Sequence, residues 1–265
     1  MSEPRIPPTR FDPEGALRAA AAALRASRRA VALTGAGVSV ESGVPPFRRM
    51  AGSAAGLWDR YDPMEYGTLE AFLRDPAKVW RMYREVSGIL QAARPGPAHF
   101  ALARLEMGGL IRAVITQNVD ALHHQAGSGR VIALHGDWRT LVCLSCRSRR
   151  PSTGVSLEVL PPRCPCGAPW KPDVTLFGEL MPPETIDEAR HLARTCDLMV
   201  VAGCSYEADP AASLPLIARS HRALVIEVNV EETTLSRSQV DLHLAGPAGL
   251  VLPRLADAAG APLES

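Results

Sequence analysis

The chain has 265 residues, is 46% hydrophobic and carries a net charge of +1 at pH 7. That length buries a full core, as one domain of ordinary size or as a large lobe with a smaller insertion. The near-neutral balance offers no footprint for a phosphate backbone, so no nucleic-acid partner is expected, and no run approaches the ~18 apolar residues of a membrane span.

Residues 1–10 are rich in proline and are expected to be flexible. Asp12-Pro13 opens an alanine-rich helix running to about Arg29. Residues 30–34 follow as a short buried strand. Ser27-Arg28-Arg29 has the look of a twin-arginine export signal, but the apolar run after it is short and Glu41 soon interrupts. It reads instead as a helix end entering a strand. Then comes Gly35-Ala36-Gly37. A dinucleotide fingerprint would continue to a third glycine and a helix, yet that position is Val40, and the next glycine, Gly43, precedes Pro45-Pro46. The segment starts as a nucleotide turn and then breaks the pattern.

Residues 50–107 read as mostly helical, with Pro76 starting a helix to about Ala92 and Pro97 starting another. Strands are expected at 110–116, 131–134, 197–202 and 223–228, and helices at 183–194 and 246–259; His123 and His124 read as helix residues. Buried strands alternating with helices imply an α/β fold, a parallel sheet wrapped on both faces. Ligands of such sheets bind beyond the carboxyl ends of the strands.

Four such ends carry small or amide-bearing residues: Thr34-Gly35-Ala36-Gly37, Thr116-Gln117-Asn118-Val119-Asp120, Ala202-Gly203-Cys204-Ser205 and Glu227-Val228-Asn229. Any one of them also arises as ordinary turn chemistry; the four together point to a nucleotide. Cys143-x2-Cys146 and Cys164-x-Cys166, separated by 17 residues, make two knuckles. Four thiolates close the tetrahedral shell of zinc and leave no place for a reactive water, so the site is structural; a redox pair or inert cysteines are the alternatives. Cysteines paired this way fit a cytoplasmic protein better than a secreted one. Cys196 and Cys204 lie outside the pattern and read as buried small residues. His135, in Leu134-His135-Gly136, can take a proton near neutral pH. Such a histidine taken alone is more often structural, and its place beside the 117–120 cluster is what singles it out.

These residues carry a resemblance. The chain is similar to the sirtuins, the NAD-consuming protein lysine deacylases, in GAGVSVESGVPPFR (35–48), TQNVDALHHQAGS (116–128), LHG (134–136), the four cysteines, KPDVTLFGE (171–179), GCSYEADPAASLP (203–215) and VIEVN (225–229). The resemblance implies a single catalytic domain over 11–265. Its large Rossmann-like lobe would comprise 11–48, 108–138 and 181–265, and its small lobe a helical part, 49–107, and a zinc module, 139–180. It implies NAD as consumed co-substrate and one structural zinc ion. Gly35, Ala36 and Gly37 would meet the pyrophosphate, with Phe47 and Arg48 on a flap over the cofactor. Gln117, Asn118 and Asp120 would surround the ribose and the carboxamide. Gly203, Cys204, Ser205, Asn229, Val230, Glu231 and Ala248 would hold the adenosine half.

The implied reaction is that of an acyltransferase-class deacetylase. The acetyl-lysine oxygen attacks the nicotinamide ribose, and His135 acts as general base, with Asn118 and Asp120 in support. Water finishes the reaction, giving free lysine, nicotinamide and O-acetyl-ADP-ribose. An acetylated protein or peptide would lie extended between 177–179 and 203–208, touching Phe47, Thr175, Phe177, Gly178, Glu179, Ser205, Tyr206 and Glu207; a monomer is expected. Longer apolar acyl groups, ADP-ribosyl transfer on the same fold, and nucleotide sensing with little turnover are the other readings. The chain departs from the family pattern at Arg49, Ala121 and Cys204, and Thr175 stands where an apolar residue is common. In the helix from Pro76, relatives that remove succinyl or malonyl groups place an arginine three residues after a tyrosine; here Tyr83 is followed at that spacing by Val86.

Overall fold

The computed structural model describes residues 12–48, 55–206, 209–233 and 236–263. In chain order the elements are α1 (Pro13–Ala26), β1 (Val31–Thr34), α2 (Pro63–Tyr66), α3 (Leu69–Arg74), α4 (Pro76–Ala92), α5 (Pro97–Met107), β2 (Val114–Thr116), α6 (Leu122–Gln125), β3 (Val131–Ala133), β4 (Gly136–Cys143), β5 (Arg149–Pro151), β6 (Trp170–Val174), α7 (Pro183–Thr195), β7 (Leu198–Ala202), α8 (Leu214–Ser220), β8 (Leu224–Asn229), α9 (Ser236–Gln239), β9 (Leu242–Ala245) and α10 (Ala248–Ala259).

Local chemistry sets many of these boundaries. The Asp12 carboxylate caps α1 by accepting from the Gly15 N–H at 2.8 Å, ahead of Pro13 at the first position. Asp75 does the same for α4 through Lys78. α1 stops at Ala26, short of the expected Arg29, because Asp197 captures the next turn: it accepts from the Ser27 hydroxyl and from the Arg28 and Arg29 N–H groups. β2 begins at Val114 rather than Leu110 because Gly109 is left-handed (φ 70°) and the Leu110 and Ile111 N–H groups fold back onto the Leu105 carbonyl.

Six strands form a parallel sheet in the order β3-β2-β1-β7-β8-β9. Successive residues of β1 face opposite layers. Ala32 packs with α1, α5 and α10, whereas Val31 and Leu33 pack with α7 and α8, and β7 alternates in the same way. The sheet is therefore covered on both faces, as the alternation of elements implied. Two elements absent from the sequence reading, α8 and β9, complete this layer.

A second, antiparallel sheet of three strands, β5-β4-β6, carries the cysteines. Its apolar side shares a core with α3 and α4 through Phe72, Val79, Trp80, Leu141, Trp170 and Leu176. α5, expected in this smaller body, packs instead with the large sheet: Ala98, Ala101, Leu102 and Leu105 belong to the core against α10. Among the described residues no helix is long and apolar enough to cross a membrane.

Candidate active site

The strand order reverses between β1 and β7, and the loops leaving those two strands meet there, where ligands of such sheets bind. Gly35 N–H donates to Ala202 O and Gly37 N–H to Gly203 O, each at 3.0 Å. A Cβ on Gly35 would lie 2.6 Å from Gly203 O, one on Gly37 2.6 Å from Gly203 Cα, and one on Gly203 (φ 62°) 2.6 Å from Gly37 Cα. Only glycines allow the two loops to cross so closely. The chain then makes two 3-10 turns, Ala36–Val38 and Val40–Ser42, and breaks at left-handed Gly43 (φ 79°). The broken fingerprint is thus a tight glycine turn whose Gly35 and Gly37 N–H groups are spent on the crossing loop, and whose lack of side chains leaves its backbone open to close approach, without a long helix behind it.

Beneath this turn lies a buried polar network. Asn118 Nδ2 donates to Gly35 O and to Ser39 Oγ, both at 3.0 Å. Ser39 Oγ donates to Asp120 Oδ2 at 2.7 Å, and Asp120 Oδ1 accepts from Leu122 N–H at 2.9 Å. Gly96 N–H donates to His99 Nδ1 (3.1 Å), so the His99 proton sits on Nε2 and points at Ser39 Oγ, 3.3 Å away. Burial holds the His99 pKa below its usual value, against the pull of the Asp120 charge. Asn118 and Asp120 are thereby fixed from below.

Ala121, next in the chain, has φ 64°, a conformation that costs a residue with a Cβ roughly 1–2 kcal/mol. Ala121→Gly relieves that strain while adding ~0.5–1 kcal/mol of freedom to the unfolded chain. The expected net effect is a rise in Tm of up to about 4 °C, read by calorimetry. A fall in Tm contradicts it.

His135 follows β3 and is largely buried. Its Nδ1 lies 2.9 Å from the Gln117 carbonyl, which can only accept, so Nδ1 carries the proton and Nε2 keeps a free lone pair. Burial lowers its pKa, partly offset by that hydrogen bond. The ring is a neutral base at neutral pH. Gly136 (φ 85°) makes the tight approach to β6 possible; a Cβ there would meet Asp173 O at 2.0 Å.

His135, Gln117, Asn118, Gly35, Ala36, Arg48, Gly203 and Ser205 line one end of a cavity of about 480 Å3. At its mouth Phe47 stacks on Trp58 (5.5 Å between centroids), and Trp58 lies 6.3 Å from Phe177. Thr175, Gly178 and Glu179 also line it. The same cavity is lined by Met82, Tyr83, Val86 and Leu90 of α4 and by Val155 and Leu157 of the loop after β5. Residues 82, 86 and 90 follow helical spacing and so share one face of α4, whereas Arg84 is exposed.

The remaining expected residues divide. Asn229 Nδ2 donates to Cys204 O at 2.9 Å, and Cys204 is buried, its thiol pKa pushed up by burial. Val230, Glu231 and Ala248 do not line the cavity; Val230 and Glu231 are exposed, and Ala248 is buried at the start of α10. Tyr206, expected to touch substrate, does not line the cavity: its backbone is left-handed (φ 61°) and its half-buried ring packs on the core against α7 and α8. Glu207 and Arg49 lie outside the described residues. Ser39, His99 and Trp58 join the site with no mark in the sequence pattern, because their roles depend on contacts 60 or more residues away or across the flap.

The four cysteines converge, their sulfurs all within 4.8 Å of one another; Cys143 and Cys166 Sγ are 3.5 Å apart and Cys146 and Cys164 Sγ 3.6 Å. Tetrahedral zinc with Zn–S of ~2.3 Å places sulfurs ~3.8 Å apart, so the set fits the ion. Each knuckle is closed by backbone bonds, Arg147 N–H to Cys143 O and Gly167 N–H to Cys164 O. Cys143→Ser, or a strong chelator, is expected to lower Tm markedly, since metal binding there is folding energy. Elemental analysis finding no zinc in the purified chain contradicts this.

The Sir2 family model matches residues 35–210. The chain belongs to the Sir2 family. An NAD-dependent protein deacylase of Pyrobaculum aerophilum is 46% identical over 236 residues, covering 88% of this chain and 92% of that one. Among solved structures, a Sir2 homologue in complex with NAD superposes with a TM-score of 0.85 at 40% identity, covering 96% of this chain and 95% of that one. A Sir2 protein with a deacetylated peptide and 3'-O-acetyl ADP ribose gives 0.86 at 32% identity, covering 93% and 99%. In this Sir2 chain the family match spans the crossed glycine loops, the 117–120 cluster, His135 and the four cysteines.

Proposed function

We propose that this Sir2 chain removes acyl groups from protein lysines at the expense of NAD, with acetyl or a longer apolar acyl group as substrate. The observation that carries the reading is His135, its proton held on Nδ1 by the Gln117 carbonyl, lining the same cavity as the crossed glycine loops. NAD, when bound, supplies an electrophilic ribose carbon with nicotinamide as leaving group. The chain's residues do the rest. The turn at Gly35, Ala36 and Gly37, bare of side chains at both glycines, would let the pyrophosphate approach the backbone closely, and Arg48 adds a cation beside it. Asn118 and Asp120, held by Ser39 and His99, order the floor beneath the ribose. Gln117 fixes the tautomer of His135, which takes a proton at Nε2 from a ribose hydroxyl.

The acyl-lysine would enter past Phe177, with its acyl group toward Tyr83 and Val86. The lining between α4 and the 155–157 loop, with Met82, Val86, Leu90, Val155 and Leu157, is mainly apolar, which supports an apolar acyl group as substrate. The bound peptide would add to the 175–179 segment as an extended strand. A mass spectrum of an acetyl-lysine peptide incubated with NAD tests the reading. Loss of the acyl group is expected; gain of ADP-ribose, or an unchanged peptide, overturns it.

A further inference from the structure

The segment from Thr175 to Glu179 lines the cavity, starts with Thr175 N–H bonded to the His135 carbonyl at 2.9 Å, and is tied further on two sides. On one side Phe177 N–H donates to Gly67 O at 2.9 Å and Phe177 O accepts from Leu69 N–H at 3.0 Å, which joins it to α3. On the other side is Lys171, a lysine on β6 whose side chain is only 1% exposed. A buried ammonium is costly unless each of its three protons meets an acceptor. Here each does: Pro172 O at 3.1 Å, Val174 O at 2.7 Å and Glu179 Oε2 at 2.9 Å. The same Glu179 oxygen accepts from Leu176 N–H at 3.0 Å.

The carboxylate expected to touch substrate therefore turns inward and closes its own loop. One cation pins the carbonyl of residue 174, where β6 ends, and through Glu179 the return of the loop five residues later.

We propose that Lys171 is a positioning residue for the acyl-lysine: its ion pair with Glu179 sets the conformation of the 175–179 wall against which the substrate strand lies. This deepens the deacylase reading and rests on it. The wall follows β6 of the small sheet and the glycine turn follows β1 of the large one. Although Thr175 N–H reaches the His135 carbonyl at 2.9 Å, that bond lies ahead of the part of the wall that Lys171 and Glu179 hold. Loss of Lys171 would therefore loosen peptide binding and leave the glycine turn in place.

The test is Lys171→Met in the full, zinc-loaded chain, with Glu179→Gln as a second variant that keeps an oxygen for Leu176 N–H while removing the charge. The expected result for Lys171→Met is a rise in peptide KM of roughly tenfold or more, the scale of one lost charge-assisted hydrogen bond, with KM for NAD within about twofold of the parent. Glu179→Gln should give a smaller rise in the same direction. Amide exchange over residues 175–179 should quicken in both, and this readout does not depend on turnover. If Lys171→Met fails to fold, Glu179→Gln decides. Unchanged peptide KM and unchanged exchange in a folded variant overturn the role of Lys171. A parent chain that leaves the peptide intact in the presence of NAD overturns the deacylase reading instead, and the exchange data still decide whether Lys171 sets the wall.

Discussion

Replacing His135 with alanine is expected to cut kcat for deacylation by about 10²–10⁴-fold, the range a positioned general base supplies, while Tm stays within a few degrees of the parent. Among the described residues the ring's one hydrogen bond runs from Nδ1 to Gln117 O, and the side chain belongs to the lining of the cavity. The fold loses little with the side chain; the reaction loses its base. The pH profile carries the same assignment. Burial depresses the His135 pKa, so the neutral, base-competent form persists below the ordinary histidine value of ~6.5. The acid limb of kcat/KM should therefore fall below pH ~6.5, with no loss between 7 and 8 from this group. A variant with near-parental turnover contradicts the assignment, as does a parent whose acid limb lies well above 6.5.

Acetyl-lysine peptides are expected to be turned over at least about 100-fold faster than succinyl-lysine peptides of the same sequence. Among the described residues the floor of the cavity at Tyr83 and Val86 offers an acyl carboxylate no free cation. Arg84 is exposed and lines no part of the cavity, and the three protons of Lys171 are already used. Burial, and to a lesser degree Glu179, raises the pKa of the Tyr83 phenol, and Glu179 with Lys171 forms a closed ion pair that leaves no positive charge over for a second carboxylate. Stripping a carboxylate of water there without a partner costs several kcal/mol, and 2.7 kcal/mol already corresponds to about 100-fold. Val86→Arg places a guanidinium on the cavity face of α4, where it can grip a carboxylate through two hydrogen bonds, so the preference should shift toward succinyl. Equal kcat/KM for the two peptides in the parent chain contradicts this account of the floor.

What could be read in the sequence is what local chemistry decides. The Asp-Pro and Pro starts of α1, α4 and α5, the buried β1 and β7 runs and the cysteine spacing each depend on a few neighbouring residues, and the structure has them. The Gly35-Ala36-Gly37 turn was also legible, although its reason lies in Gly203, 166 residues further on, which a pattern within one segment does not reveal. Other features hinge on distant partners. α5 follows the helical insertion in sequence, yet its alanine and leucine face meets α10. Asp197 ends α1 from across the sheet. Ser39 and His99 look like an ordinary loop serine and an ordinary helix histidine until the fold brings them to Asp120. Tyr206 stands within a family motif, but its left-handed backbone and packing against the core are properties of the fold.

The central claim is that this Sir2 chain couples the cleavage of NAD to the removal of an acyl group. It is tested most directly by measuring nicotinamide released and free lysine formed in the same reaction with an acetyl-lysine peptide. The account predicts equal amounts of the two, and no free lysine when NAD is omitted. Nicotinamide released without lysine, or lysine formed without NAD, would contradict it.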